Sequence, residues 1–477
     1  MHHQLLNQLR SIVGKENFLD SEEDKLVYAY DGTPLIQHKP EAILLPRNAE
    51  EISHILKLAN AEHFNVVPRG SGTGLSGGSV PVENSIVILM NRWNKLIEID
   101  RDNLTAWVEP GVVTASLHAE VEKLGLFYPP DPGSQNICTI GGNVAENAGG
   151  LRGLKYGVTK NYIMGIEMVM PDGEIVRNGG KNVKDVAGYN LRDLIVGSEG
   201  TLGIFTKVLV KLIPRPETSK TLLAFFNHIS AAAQTVSDII ASHIIPCTVE
   251  FLDNTTIRSV EAYSHIGLPV TAQALLLLEV DGYEEVVKRD AEKIHAICVR
   301  NGASGVKIAA DQAEAISLKE ARRTAFSALA RVKPTTILED ATVPRSNLAI
   351  LVEKIDAIAR KYNLSIGNFG HAGDGNLHPT CLTDERDQDE IHRVEKAFDE
   401  IYDETLKLGG TITGEHGVGL AKRQFLEKMI EVPALEVMRK IKRALDPNNI
   451  LNPGKIFTHA PKCEGKLPAN LDEQAIL

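Results

Sequence analysis

Apolar residues recur at helical spacing over residues 4–13 and 50–62, and the second run opens at Asn48-Ala49-Glu50-Glu51, a capping residue followed by first-turn acids. Residues 65–68, Asn-Val-Val-Pro, predict a strand, with further strands at 85–90 and 95–100 and a helix near 114–124. Residues 166–170 and 174–177 flank Pro171-Asp172-Gly173 and predict a hairpin. A strand over 205–212 closes this stretch, and Pro214-Arg215-Pro216 marks a boundary. Beyond it the pattern changes. Strand-like 222–226, a helical run over 230–242 and strand-like 248–252 form one unit, and 274–280, 284–301 and 305–309 form a second. Two strand–helix–strand units predict a ferredoxin-like α+β sheet. Residues 311–430 mix helices with short strands, a helix is expected over 433–445, and 458–477 read as a tail.

Composition narrows the function. The chain has 477 residues, 43% hydrophobic and 24% charged, which fits a soluble protein of about two to four domains. Sixty-two acidic against 51 basic residues leave a net charge of −11, and no long basic run offers a face for phosphates. Aromatics at 5% also argue against base stacking, so a nucleic-acid partner is not expected. The five cysteines, at 138, 247, 298, 381 and 463, form no C-x-x-C pair, which excludes a zinc ribbon or ferredoxin-type cluster within the chain. Their sparse, odd count fits a reducing compartment. Met1-His2-His3-Gln4-Leu5-Leu6 carries no signal-peptide pattern, and the run 274–278 stops at Glu279, too short for a membrane span. The expectation is a cytoplasmic protein, with peripheral attachment at the inner face of the membrane left open.

The 39 glycines are clustered. Gly72-Thr73-Gly74-Leu75-Ser76-Gly77 matches G-x-G-x-x-G, but the residues after it, Gly78-Ser79-Val80-Pro81-Val82, disfavour the helix that a dinucleotide turn must open into. Successive glycines still let backbone N–H groups approach an anion, and Ser71, Thr73 and Ser76 interleave hydroxyls, so the loop predicts a phosphate cradle. A second cluster runs from Asp131-Pro132-Gly133-Ser134 through Thr139-Ile140-Gly141-Gly142-Asn143 to Asn147-Ala148-Gly149-Gly150, and a third is Gly197-Ser198-Glu199-Gly200-Thr201-Leu202-Gly203.

Two further glycine turns carry titratable groups. Asn368-Phe369-Gly370-His371-Ala372-Gly373-Asp374-Gly375-Asn376-Leu377-His378 sets two histidines either side of a Gly-Asp-Gly turn. If the flanks pair as a hairpin, both imidazoles reach one metal ion. Thr413-Gly414-Glu415-His416-Gly417-Val418-Gly419 places a carboxylate beside an imidazole. Two neutral imidazoles and a carboxylate with open positions make a catalytic divalent-ion site, and spacing does not choose between zinc, manganese and iron(II).

Pro68-Arg69-Gly70-Ser71-Gly72-Thr73-Gly74, Gly141-Gly142-Asn143-Val144-Ala145-Glu146-Asn147-Ala148-Gly149-Gly150 and Gly197-Ser198-Glu199-Gly200-Thr201-Leu202-Gly203 resemble the FAD-binding domain of vanillyl-alcohol-oxidase-type flavoenzymes. With His371-Ala-Gly-Asp-Gly-Asn-Leu-His378 and Gly414-Glu415-His416-Gly417, residues 10–457 resemble the branch holding FAD-linked D-lactate dehydrogenases, D-2-hydroxyglutarate dehydrogenases and the catalytic flavin subunit of glycolate oxidase. The resemblance implies a two-subdomain FAD-binding domain over 1–215 and a ferredoxin-like α+β substrate domain, or cap, over 216–430. Residues 431–457 would return to the FAD domain.

By the same resemblance the first cluster (Arg69, Gly70, Ser71, Gly72, Thr73, Gly74, Ser76) would hold the FAD pyrophosphate. The second (Pro132, Ser134, Thr139, Gly142, Asn143, Ala145, Asn147, Gly149, Gly150) would line the flavin and ribityl side. The third (Glu199, Gly203, with Ile204) would take the adenosine side, and Asn452 would also contact the cofactor. Neither of the first two clusters contains a histidine for a covalent flavin link, so FAD is expected to bind non-covalently.

His371, His378 and Glu415 would be metal ligands, His416 the catalytic base and Arg322 the clamp on the substrate carboxylate. Near Leu338-Glu339-Asp340 the chain lacks the lysine that hydroxyglutarate enzymes use for a distal carboxylate, which favours D-lactate or glycolate. A metallohydrolase would leave the glycine clusters without a role, and a non-catalytic flavin subunit would not need the histidines. With no redox centre of its own besides FAD, the chain would pass electrons to an electron-transferring flavoprotein, quinone, cytochrome or iron–sulfur subunit, in a hetero-complex or as a homodimer.

Overall fold

Short strands with apolar centres are buried on both faces, and the first sheet is built from them. In the computed structural model, which describes residues 1–457, Ala42–Leu44 and Asn65–Arg69 both run parallel to Ser85–Leu89, and Phe18–Leu19 adds an antiparallel edge. Ala49–Glu62 is the crossover helix, started by Asn48, whose side chain accepts the Glu51 N–H at 2.8 Å. Its apolar stripe, Ile52, Ile55, Leu56 and Ala59, is fully buried. Ile450 and Leu451 join the same core, tied in by Val66 N–H to Ile450 O (2.8 Å) and Asn452 N–H to Val66 O (2.8 Å).

A second, antiparallel sheet has the order Leu96–Asp100, Thr105–Val108, Ile204–Lys211, Ile163–Val169, Ile175–Gly179. The expected hairpin around Pro171-Asp172-Gly173 is its last pair. Ile441 and Leu445 of the helix Val432–Leu445 pack on this core.

The third sheet begins with the order Ala303–Ile308, Thr218–Phe226, Ala274–Gly282, Thr248–Asp253. That is the ferredoxin-like arrangement which the two strand–helix–strand units predict. The sheet does not stop there. Thr248–Asp253 pairs with Ser365–His371, which pairs with Asn376–Thr383 and then Thr335–Leu338. The stretch after 311, read in sequence as a separate mixture, therefore extends the same sheet and carries the two histidines on it. Among the described residues no helix is long and apolar enough to cross a membrane.

Two local features differ from the expected pattern. Ile140–Glu146, inside the second glycine cluster, is a helix, N-capped by Thr139. Asn254–Ser264 is a helix that periodicity did not single out, opened by Asp253, whose side chain accepts the Thr256 N–H at 2.8 Å.

Candidate active site

Register alone brings four side chains to one face. His371 pairs across from Glu250, and His378 pairs across from Phe369, two residues before His371. Cross-strand partners and residues two apart share a face, so Glu250, Phe369, His371 and His378 project together. The turn between the histidines needs Gly375, which has φ +83° and on which a Cβ would stand 2.1 Å from Val343 O.

Glu415 completes the cluster from another segment. Its Oε1 lies 3.1 Å from His371 Nε2 and 3.3 Å from His378 Nε2. A tetrahedral ion with bonds of about 2.0–2.1 Å separates its ligands by about 3.3 Å, so this donor set fits a divalent ion. His371 passes its other nitrogen to Glu250: Nδ1 is 2.6 Å from Glu250 Oε1, and Glu250 Oε2 is 2.6 Å from Arg322 Nε. The guanidinium of Arg322 lies 4.8 Å from the centroid of the Phe369 ring.

The loop carrying Glu415 and His416 is held from two sides. After the third-sheet strand Thr335–Leu338, Asp340 Oδ2 accepts from Thr413 Oγ1 (2.8 Å) and from the N–H groups of Gly414 (2.7 Å), Glu415 (3.0 Å) and His416 (3.1 Å). From the third glycine cluster, Glu199 accepts from the Val418 and Gly419 N–H groups at 2.8 and 2.6 Å. His416 stacks on His378 with centroids 5.0 Å apart and planes 10° from parallel.

Electrostatics separate the histidines. Burial disfavours the His371 cation, but Glu250 and Glu415 outweigh it and raise that imidazole well above its ordinary value. Burial likewise raises Glu415, yet His371 and His378 outweigh it and hold the carboxyl well below its usual range. Burial dominates at His416 and lowers it to about 4, so the ring is neutral at pH 7 and free to accept a proton.

Phe369, Arg322 and the cluster of His371, His378, Glu415 and His416 open onto one cavity of about 670 Å³, within the usual range of cofactor and ligand pockets. It is lined by Arg69, Gly70, Ser71, Gly72, Thr73 and Gly74 of the first cluster, by Pro132, Ser134, Thr139, Gly142, Asn143 and Ala145 of the second, and by Glu199, Gly203 and Ile204 of the third. Arg322, His371, His378, Glu415 and His416 line its other side. The cradle fits a dinucleotide. Gly72 has φ +72° and lies so close over the buried Arg69 guanidinium that a Cβ would stand 2.1 Å from Nη2, which leaves backbone and cation facing the cavity together.

Five of the expected cofactor contacts lie outside the lining, and most are engaged elsewhere. The Ser76 carbonyl accepts from Leu420 and Ala421, and Asn147 Oδ1 accepts the Lys160 N–H at 2.9 Å. Gly149 packs against Glu415, Gly150 against Asp131, and Asn452 Nδ2 donates to Gly78 O (2.9 Å) and Glu199 O (2.7 Å). Sequence reasoning missed Glu250 and Asp340. The signal for Glu250 was available: a carboxylate between Val249 and Phe251 in an otherwise apolar strand needs a buried partner.

Comparison with known proteins gives the family. Residues 215–456 match the family described as FAD linked oxidases, C-terminal domain, and residues 40–179 match an FAD binding domain. The chain is 58% identical over 450 residues to glycolate oxidase subunit GlcD of Bacillus subtilis (strain 168), covering 94% of this chain and 96% of that one. It is 38% identical to GlcD of Escherichia coli (strain K12), covering 96% and 92%, and 32% identical to a D-lactate dehydrogenase of Anaerostipes hadrus, covering 94% of each. In solved structures the fold is shared with p-cresol methylhydroxylase at a TM-score of 0.78 and 18% identity, covering 95% of this chain and 96% of that one. Glycine-lined cavity, sheet topology and relatives agree, and the chain belongs to the FAD-linked oxidases.

Proposed function

We propose that the protein oxidises a small D-2-hydroxy acid, glycolate or D-lactate, to the 2-oxo acid. The observation that carries this reading is the meeting of a base, a three-ligand metal set and an arginine in the one cavity that the glycine clusters line. Bound FAD supplies the hydride acceptor. Residues 1–215 would hold it without a covalent link, since neither of the first two glycine clusters contains a histidine. His371, His378 and Glu415 would hold one divalent ion (zinc, manganese or iron(II)), which supplies a Lewis acid for the substrate hydroxyl and carboxylate.

Arg322, its Nε committed to Glu250, presents the remaining edge of its guanidinium to the substrate carboxylate. His416 Nε2 takes the hydroxyl proton as the Cα hydride leaves, which its neutral state permits. The cations lining the cavity are Arg69, Arg322 and Arg323, with no lysine beside Leu338, and Lys422 is drawn away to Glu339 at 3.4 Å. This supports a monocarboxylate over a hydroxyglutarate-type substrate. Electrons would leave to a separate acceptor: an electron-transferring flavoprotein, a quinone, a cytochrome or an iron–sulfur subunit.

Anaerobic mixing of the holoprotein with glycolate and with each enantiomer of lactate tests the reading. Flavin should bleach with glycolate and D-lactate, less with the L-enantiomer, and not in His416→Ala. Full bleaching in that variant refutes the base assignment, and bleaching by D-2-hydroxyglutarate alone refutes the substrate class.

A further inference from the structure

Asp340 is the most connected buried carboxylate of the site, and the reaction as described gives it no step. It is fully buried, at 0% exposure, between the strands Thr335–Leu338 and Ala341–Thr342. Its Oδ2 takes four donors from residues 413–416, so it fixes where the segment bearing Glu415 and His416 begins. Its Oδ1 accepts no hydrogen bond from the described residues, and His378 Nδ1 and His416 Nδ1 likewise lack a partner. Oδ1 stands 3.8 Å from His378 Nδ1. A ligand atom from each of Asp340, His378 and His416 falls within 4.8 Å of the others.

A metal-ligating imidazole almost always donates its second N–H to a carboxylate or carbonyl, which fixes the tautomer and leaves the ligating lone pair free. His371 has such a partner in Glu250. For His378 the one carboxylate oxygen in the corresponding place is Asp340 Oδ1. At 3.8 Å the contact is too long for a hydrogen bond, and site contacts of this kind shorten once their ligands are in place.

We propose that Asp340 is a positioning residue that acts through both oxygens, Oδ2 anchoring the segment of Glu415 and His416 and Oδ1 holding His378 as the Nδ1–H tautomer whose Nε2 faces Glu415. The inference rests on the metal-site reading above and adds a residue to it. Asp340 does not line the cavity. Its effect on catalysis runs through the ring it orients and the loop it anchors.

The test is Asp340→Asn in the full-length FAD-loaded protein. The amide oxygen can still accept from residues 413–416, while the amide N–H₂ facing His378 makes Nδ1 an acceptor and moves the ring proton to Nε2, where it blocks the ion. The readout is zinc affinity, measured by competition with a chromophoric chelator, alongside flavin content. We expect zinc affinity to fall about 10–100-fold with flavin content unchanged. Equal zinc affinity in wild type and variant overturns the inference and leaves the metal site standing. A wild type that binds no divalent ion overturns both.

Should Asp340→Asn not fold, the wild type itself decides. Histidine-selective ¹⁵N labelling of the zinc-free, FAD-loaded protein, assigned with His378→Gln, reads which nitrogen carries the proton before any ion can impose the tautomer. A protonated Nδ1 on His378 is expected, and an Nε2–H tautomer refutes the proposal. Thr413→Val separates the two oxygens. It removes one of the four bonds to Oδ2 and the acceptor of Gly417 N–H without touching Oδ1, so zinc affinity should fall much less than in Asp340→Asn, and an equal fall would assign the whole effect to the loop and overturn the role of Oδ1.

Discussion

Glu250→Leu removes a carboxylate that serves two residues at once. The side chain is fully buried, 2.6 Å from His371 Nδ1 on one oxygen and 2.6 Å from Arg322 Nε on the other. Leucine roughly conserves volume but strands Arg322, which is only 7% exposed, without its counter-ion. Breaking a buried ion pair from one side costs about 3–5 kcal/mol. At about 2–4 °C per kcal/mol for a domain of this size, the substrate domain should lose on the order of 10 °C in Tm. Replacing the whole pair is a different perturbation, because it leaves no charge behind and is often neutral. The double variant Glu250→Leu/Arg322→Met should regain most of the lost Tm, the methionine packing over Phe369 where the guanidinium lies. Calorimetry on wild type, both single variants and the double variant gives the coupling directly. Activity should not follow stability: the double variant lacks both Arg322, the proposed carboxylate clamp, and the partner of His371, and should leave the flavin oxidised. A Glu250→Leu protein melting within about 2 °C of wild type, or a double variant less stable than Glu250→Leu, would refute this account of the pair.

Other perturbations test different parts of the site. Gly72→Ala forces a Cβ at φ +72° onto the Arg69 guanidinium. At a cost of about 1–2 kcal/mol for the left-handed backbone alone, FAD affinity should drop about tenfold, read from the flavin-to-protein absorbance ratio after dilution; unchanged affinity would place the cofactor away from this loop. Because burial lowers His416 to about 4, its neutral form prevails at ordinary pH, so kcat/KM should lose its acid limb only on approach to that value. A limb at the ordinary imidazole value, about 6.5, would point to another base. Lys455, buried with its Nζ on Val80 O, is lowered from 10.5 to about 7. Between those values the unfolded chain binds the extra proton, so stability should rise with pH over that window. Lys455→Met should flatten the slope in parallel denaturation series, and identical slopes would refute the assignment. Asn452→Ala frees the carbonyls of Gly78 and Glu199 from their donor. It should cost about 1–3 kcal/mol in urea unfolding, whereas a neutral effect would show that the return of the chain after Asp446 does not depend on that side chain.

Elements that bury one face over several turns or strand residues were legible in the sequence. Ala49–Glu62, Ile229–Ala241 and Glu284–Arg300 lie within a residue or two of the runs that predicted them. The histidine pair was legible too, since a Gly-Asp-Gly turn between apolar flanks has few outcomes other than a hairpin. Periodicity failed where the element is short or its composition misleads. Ala42–Leu44 spans three residues, and Ile140–Glu146 contains two glycines, which helix propensity counts as loop. Gly141 is there because the helix meets Pro110, where a Cβ would stand 2.6 Å from the proline's own Cβ.

The carboxylates that orient the histidines were hidden for a different reason. Glu250 reaches His371 across 121 positions, and Asp340 reaches the His416 N–H across 76. A charge inside an apolar strand announces that a partner must exist, because an unpaired buried carboxylate would be neutralised or expelled. It does not say which cation or imidazole the partner is. That choice belongs to the sheet, where one pairing sets Glu250 opposite His371 and the Thr335–Leu338 edge leads into Asp340 beneath the loop of Glu415 and His416. The candidate ligands stand in local motifs, whereas the residues proposed to set their tautomers depend on register. A one-residue slip of Thr248–Asp253 would turn Glu250 to the opposite face and leave His371 with Glu415 alone.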